Sequence, residues 1–342
     1  MNRFSYARAT DVEHAIVAHG GGTRGQHGNP QVAAFIAGGT NLVDLLREHV
    51  ARPSLLIDIN RLPLKAIETT PNGGLKIGAL VTNSNAAYDE EVMRRYPLLA
   101  EAILAGASAQ IRNVATVGGN LLQRTRCHYF YDAGTPCNKR EPGSGCPAMH
   151  GVNRIHAILG ASEHCIAVHP SDMCVALAVL DATVHLSGRD GARAMPLVDF
   201  HRLPGNTPQI DTNLRDDELV TAVELPPEGF AAHHAYVKVR DRASYAFALV
   251  SAAVGLQLNG DTIHEARCAL GGVAHKPWRD TGAEAALRGA RLTPQTVREF
   301  ATALVRDAQG RRHNAFKIEL AIRTVMRAFE AATQTSFGEL TS

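Results

Sequence analysis

The chain has 342 residues, 45% of them hydrophobic and 20% charged, enough to bury a sizeable core divided between two or three lobes. Thirty-five Lys and Arg against 33 Asp and Glu leave a formal charge of +2 with no basic block, which argues against nucleic acid as a partner. The N-terminal segment carries charge throughout and builds no signal-peptide core, and no apolar run reaches the roughly 18 to 20 residues of a membrane span. The expectation is a chain without an export signal of its own.

In chain order, a short strand and helix lead into a Gly-rich stretch, 20 to 30, that reads as an exposed loop with no packing face. VAAFIAGG then reads as a buried strand ending on paired glycines. TNLVDLLREHVARP follows as a helix, because Leu42, Leu45, Leu46 and Val50 recur at helical spacing. SLLIDIN and LKIGAL read as strands, and Pro97 opens a helix over PLLAEAILAGAS with proline in its first turn. VATVGGNLLQ reads as a strand entering a tight glycine turn. From 124 to 165 periodicity is lost and Cys, Pro, Gly, Asn and basic residues accumulate, as in a long functional loop. HPSDMCVALAVLDATVHL reads as a turn, a buried helix and a strand, with Ser171 or Asp172 as cap. ELVTAVELPP is a strand ending at a proline break. Beyond it, AYVKVR, FALVSAAVGLQL and IHEARCALGGVA are strands followed by helices to about Phe329.

Three segments repeat a Gly-Gly turn. In FIAGGTNL, Gly38 and Gly39 allow close backbone approach at a strand-to-helix junction, where free N–H groups favour an anion such as a pyrophosphate. A plain tight turn accounts for this sequence equally well, and it is not the G-x-G-x-x-G of a nicotinamide site. ATVGGNLL adds Thr116 and Asn120 beside Gly118 and Gly119, so two turns about 80 residues apart suit the two ends of one extended cofactor. LGGVA, 270 to 274, reads as a structural turn.

Four of the six cysteines, Cys127, Cys137, Cys146 and Cys165, fall within 39 residues at the spacing C-x9-C-x8-C-x18-C. Paired C-x2-C knuckles are absent, and four thiolates in one loop serve either zinc or a [4Fe–4S] cluster. Arg124, Arg126, Lys139 and Arg140 read as offsets for their negative charge, or simply as a solvated basic face. Cys174 and Cys268 sit among apolar residues and read as buried small hydrophobes. His128 and His169 read as hydrogen-bonding neighbours. No nucleophile with its base stands out, so the chemistry is that of bound cofactors and no catalytic side chain is assigned.

FIAGGTNL, ATVGGNLLQ, HPSDM, ELVTAVELP and AYVKVRDRASYAFALVSAAV together resemble, over nearly the whole chain, the FAD-binding medium subunits of the xanthine dehydrogenase and molybdenum hydroxylase family. The segment QRTRCHYFYDAGTPCNKREPGSGCPAMHG is most similar to the cluster loop of the periplasmic aldehyde oxidoreductases of that family. The resemblance implies an α+β fold: a two-lobed FAD-binding unit of the vanillyl-alcohol oxidase type, 1–228, with an inserted iron–sulfur loop, 124–165, and a smaller α/β C-terminal domain, 232–335. It implies a [4Fe–4S] cluster on Cys127, Cys137, Cys146 and Cys165. It places FAD on Phe35, Ile36, Ala37, Gly38, Gly39, Thr40, Asn41 and Leu42, and on Thr116, Gly118, Gly119 and Asn120. Asp172 falls on the aspartate that binds the ribityl chain, Lys238 on a lysine near the flavin ring, and Gly106 and Val220 approach the cofactor.

The function so implied is electron transfer within a heterotrimer that oxidises aldehydes to carboxylates. Its partners are a large molybdenum-cofactor subunit and a small subunit with two [2Fe–2S] clusters. The alternatives are a flavin subunit like that of 4-hydroxybenzoyl-CoA reductase, a self-sufficient flavin oxidase, and a zinc-stabilised binding module. The implied location is the periplasm, by export with a signal-bearing partner, and otherwise the cytoplasm.

Overall fold

The computed structural model describes residues 1–20 and 33–337, so positions 21–30 of the Gly-rich stretch lie outside the described residues. Among the described residues are eleven strands: β1 (Ser5–Arg8), β2 (Ala33–Ile36), β3 (Leu55–Asp58), β4 (Ile67–Thr69), β5 (Leu75–Gly78), β6 (Thr183–Gly188), β7 (Gly191–Pro196), β8 (Leu219–Leu225), β9 (His234–Val239), β10 (Val250–Asn259) and β11 (Thr262–Gly271).

The first lobe is a parallel sheet in the order β1-β3-β2, with Ile57 of β3 paired to Ala7 on one side and Phe35 on the other. A helix, Val12–His19, covers it. Asp11 caps that helix by accepting from the His14 N–H at 2.7 Å, and Gly20 ends it at φ +73°. At the end of β3, Asp58 accepts from Tyr6 Oη at 2.5 Å, Arg8 Nε at 3.1 Å and Asn60 Nδ2 at 2.7 Å, which fixes the end of the central strand; Asn60 Nδ2 also donates to the Ala37 carbonyl at 3.1 Å, beside the first Gly-Gly turn.

The second lobe is an antiparallel sheet, β4-β5-β8-β6-β7, in which β8 joins the segment before the cysteine loop to the segment after it. Helix Pro97–Ala105 packs against helix Asp172–Val179. Every residue of the latter is buried, which is why its sequence is apolar on all sides from Met173 onward rather than periodic. Leu98, Leu99, Ile103, Met173, Val175 and Leu177 share this core, and burying each stabilises the lobe by about 1.5–3 kcal/mol. Ser171 is the cap, accepting from the Cys174 N–H at 3.0 Å.

The third sheet is antiparallel, β11-β10-β9, and packs against helices Thr281–Leu287 and Phe316–Thr333, with helix Pro294–Leu304 lying against both of these. Ala321, Val325, Ala328, Phe329 and Ala332 form the inner stripe of the long C-terminal helix.

Two readings require correction. VATVGGNLL is not a strand entering a turn. Thr116 accepts from the Gly119 N–H at 3.2 Å and caps a short helix, Val117–Leu121, and only an isolated bridge between Thr82 and Thr116 is strand-like. The helix after the first glycine turn closes early, at Leu42–Arg47. His49 takes φ +56° and the chain doubles back so that the N–H groups of both Val50 and Ala51 reach the Leu45 carbonyl. Between 124 and 165 the chain carries one helical turn, His128–Tyr131, and one 3₁₀ turn, Pro147–Met149.

Candidate functional site

A cleft of about 640 Å³ runs along the first Gly-Gly turn, and a second of about 570 Å³ continues from it; Thr40, Asn41 and Gly119 line both. Together they form one elongated groove between the two N-terminal lobes and β9. The first part is walled by Phe35 to Leu42, Thr116, Gly118, Gly119 and Val220. The second holds Gly106, Asn120, Asp172 and Lys238. Every residue expected at the cofactor therefore lies on this groove.

The walls are set by backbone contact. A Cβ on Gly38 would lie 2.0 Å from the Val114 carbonyl oxygen, and one on Gly118 would lie 2.9 Å from Ala79 Cβ. Gly39 adopts φ +71°, in the region that favours glycine. The first turn thus packs against the segment that precedes the second. Asn120 Oδ1 accepts from Ser171 Oγ and Gln123 Nε2, both at 2.6 Å, which fixes the second turn to the cap of the buried helix. The helix end carrying that turn is anchored as well. His169 Nε2 and His201 Nε2 both point at the Leu121 carbonyl, at 3.4 and 2.9 Å. With Cys174 they are the trio whose candidate ligand atoms lie within 4.8 Å of one another, and that shared carbonyl gives them a structural role. Burial lowers the His201 imidazole to about 4.

At the far end, Asp172 Oδ2 accepts from Lys238 Nζ at 2.8 Å, while Oδ1 accepts from Tyr236 Oη at 2.6 Å. Lys238 also donates to the Ala105 carbonyl at 3.1 Å. A Cβ on Gly106 would come within 3.0 Å of Asp172 Oδ2, so glycine there keeps this carboxylate edge open. Burial, followed by Asp172, pushes the Tyr236 phenol well above its ordinary value, so it is a neutral donor. The pair is almost sealed, with 4% and 9% of the two side chains exposed. LGGVA is largely the structural turn expected, with a Cβ on Gly272 falling 2.8 Å from the Ala248 carbonyl, yet Gly271 and Gly272 also edge the groove.

Next to the groove, Cys127, Cys137, Cys146 and Cys165 line one small cavity. Thr125, Cys127 and His156 belong to both its lining and the groove's, and Lys139 joins it to the groove's other end. All four are free thiols. Backbone N–H groups converge on the sulfurs: Phe130 and Tyr129 on Cys127, Ile166, Ala148 and Met149 on Cys146, and Ala167 on Cys165. Burial pushes the Cys127 thiol up to about 12 and the Cys165 thiol to about 11, so for them to ligate as thiolates a bound metal would have to supply the charge that deprotonates them. A zinc site with sulfurs at about 2.3 Å would hold them roughly 3.8 Å apart. Among the described residues, no three of these cysteines have their sulfurs within 4.8 Å of one another.

The basic residues of this loop do not simply face the thiols. Arg124 Nε and Lys139 Nζ both bind Asp211, at 2.7 and 2.5 Å. Burial raises that carboxyl, but Arg124 and Lys139 outweigh it and hold it well below the ordinary value. Arg126 donates to Tyr131 Oη at 2.7 Å and pairs with Asp44 at 3.5 Å, and Arg140 donates to the carbonyls of Tyr129, Phe130 and Thr135. They brace the loop, and only Lys139 also acts on a cysteine, lowering Cys165. Cys174 and Cys268 are fully buried outside the cavity, as read from the sequence. The residues that sequence reasoning missed are His156, His275 and Tyr236. The partners of the two histidines are far away in the chain, whereas Tyr236 stands two residues before Lys238 on β9, and the alternation of the strand puts both on the face that meets Asp172.

Two N-terminal lobes around an elongated groove, followed by a separate three-stranded sheet with helices, define a two-lobed FAD-binding fold with a C-terminal domain. Residues 2–228 match the family described as the FAD binding domain in molybdopterin dehydrogenase, and residues 234–332 match the CO dehydrogenase flavoprotein C-terminal domain. The chain belongs to this family of FAD-binding subunits. It is 53% identical, over 95% of its length and 96% of the relative's, to the aldehyde oxidoreductase FAD-binding subunit PaoB of Escherichia coli. It is 30% identical to the glyceraldehyde dehydrogenase medium chain of Sulfolobus acidocaldarius over 87% of its length and 86% of that chain. Among solved structures, a carbon monoxide dehydrogenase from Hydrogenophaga pseudoflava superposes with a TM-score of 0.74 at 25% identity, covering 97% of this chain and 98% of that one. Among the described residues no helix is long and apolar enough to cross a membrane.

Proposed function

We propose that this chain is the FAD- and [4Fe–4S]-bearing subunit of a molybdenum-dependent aldehyde oxidoreductase, working with a large molybdenum-cofactor subunit and a small subunit carrying two [2Fe–2S] clusters. The observation that carries the reading is the groove that gathers both Gly-Gly turns and the Asp172–Lys238 pair, directly beside the four-cysteine cavity. Similarity to an aldehyde oxidoreductase subunit over 95% of the chain supports the substrate class.

Bound FAD supplies the conversion between single electrons arriving from iron–sulfur centres and a two-electron departure to an acceptor. The chain's own residues bind and orient. Peptide N–H groups of the turn at Gly38 to Asn41 receive the pyrophosphate; those of Gly118, Gly119 and Asn120 already donate to the Ala79 carbonyl and to Thr116, so the second turn offers the cofactor its close glycine wall. Asp172 takes the ribityl hydroxyls, and Lys238 lies toward the ring. Gly106 and Val220 leave room for the cofactor to lie against the wall. Cys127, Cys137, Cys146 and Cys165 ligate the cluster, which supplies a one-electron centre and ties down a loop with little regular structure. The division of labour places the FAD-binding unit at 1–228 and the C-terminal domain at 232–335. Export to the periplasm with a signal-bearing partner fits this assembly.

Turnover separates this reading from a self-sufficient flavin oxidase. The purified chain should reduce an artificial acceptor with aldehyde only when both partners are added back. Appreciable aldehyde oxidation by the chain without partners would overturn it.

A further inference from the structure

Two histidines without an assigned role face the cysteine cavity. His156 Nε2 lies 3.1 Å from Cys127 Sγ, and His275 Nε2 lies 3.3 Å from Cys165 Sγ, both within hydrogen-bonding reach of sulfur. The side chains are buried, and Nδ1 of each ring is enclosed with no partner. They come from opposite sides of the site: His156 from the cysteine loop, His275 from the turn that follows β11. The two segments are stitched together where the N–H groups of Ile158 and Leu159 both reach the Val273 carbonyl and that of His169 reaches Ala274.

The unpaired Nδ1 atoms decide which way these contacts run. A neutral imidazole carries one N–H. Were the proton on Nδ1, each ring would bury a donor without an acceptor, a loss of about 1–3 kcal/mol. With the proton on Nε2, the donor meets sulfur and only a lone pair is left idle, which buried sites tolerate better. The sulfur is then an acceptor, as a metal-bound thiolate is and a neutral thiol is only weakly. Both contacts therefore look designed for ligated sulfur.

We propose that His156 and His275 donate Nε2–H hydrogen bonds to the ligating sulfurs of Cys127 and Cys165 and so raise the reduction potential of the cluster those cysteines hold. Reduction adds an electron whose charge spreads onto the sulfurs, and a donor aimed at sulfur favours the more negative state. Because His275 arrives from the C-terminal domain, docking of that domain sets the potential of a cluster bound by the preceding one. This inference rests on the cluster reading above.

The test uses the holo-complex, purified anaerobically, with the cluster followed by electron paramagnetic resonance through a redox titration. His275→Leu and His156→Leu remove the donors. In His275→Gln, the amide nitrogen takes the place of Nε2 and should preserve the hydrogen bond. At unchanged iron content, each Leu variant should shift the oxidised-to-reduced ratio at fixed potential about tenfold, about 59 mV for a one-electron couple, toward harder reduction, and Gln should restore most of it. Where a Leu variant loses iron, the wild-type complex answers instead: with selectively ¹⁵N-labelled histidine, the reduced cluster should show coupling to two ring nitrogens in electron–nuclear double resonance. A wild-type complex with no iron–sulfur signal beyond those of the partner's two [2Fe–2S] clusters overturns the cluster reading itself. A normal cluster with unshifted potential in the Leu variants, or with no histidine coupling, overturns this inference alone.

Discussion

The groove and the cysteine cavity share walls but are held in opposite ways. Around the groove, peptide backbone packs on peptide backbone, with Gly38 against Val114 and Gly118 against Ala79, so its shape is fixed by glycine and by the sheets on either side. The cysteine loop, 124–165, has one helical turn and one 3₁₀ turn, and is instead strung between long-range side-chain contacts: Arg124 and Lys139 to Asp211, Arg140 to loop carbonyls, Asn138 to the His164 carbonyl. The groove is therefore shaped by backbone alone, whereas the proposed cluster would add a second set of ties to a loop held by side chains.

Breaking the loop should have the larger effect. Cys127→Ser or Cys165→Ser should reduce iron from about four per chain to near zero and expose the 124–165 segment to proteolysis, while Cys174→Ser, buried outside the cavity, should leave iron unchanged. Metal analysis with limited trypsin digestion reads both. Next comes the ion pair at the far end of the groove. Lys238→Met strands Asp172 in a nearly sealed site, and should cost about 3–5 kcal/mol in urea unfolding, more than Asp172→Asn, whose side chain still accepts from Tyr236.

A pH effect of similar size should come from the histidines under the second turn. His201 stays neutral in the folded protein down to about 4, whereas an unfolded histidine protonates near 6.5. The unfolded state therefore gains protons first, and stability falls as pH drops from about 6.5 to about 4, by roughly 3 kcal/mol in total. Asp211 acts to raise this pKa and Lys276 to lower it, both after burial. Unfolding curves between pH 7 and 4 should be flatter for His201→Gln than for the natural chain. The smallest effect is on the groove itself: Gly38→Ala must push back the Val114 carbonyl, an overpacking cost of about 1–3 kcal/mol, and should weaken flavin retention about tenfold with the loop intact. Flavin-to-protein ratios after gel filtration would show it.

How much was legible follows the same division. The glycine turns announce themselves because their constraint is local: FIAGG and TVGGN carry the small residues that the close approach demands, although VATVGGNLLQ reads as a strand entering a turn where the structure has a short helix, Val117–Leu121, since a single Thr116 cap outweighs the β-branched residues before it. Cysteine crowding marked the loop. What the sequence hid is the set of long-range partners. Asp211 lies 72 residues from Lys139 and His275 lies 110 residues from Cys165, distances at which no spacing rule applies. The basic residues of the loop looked like counter-charges for thiolates because their true acceptors, an aspartate and several carbonyls, are set by folding.

The most direct test of the central claim is the ultraviolet–visible spectrum of the anaerobically purified chain, with iron and zinc analysis, before and after dithionite. The account predicts flavin bands over a broad iron–sulfur absorbance that bleaches on reduction, with about four irons per chain. Zinc in place of iron, without flavin, would contradict it and return both glycine turns to a purely structural role.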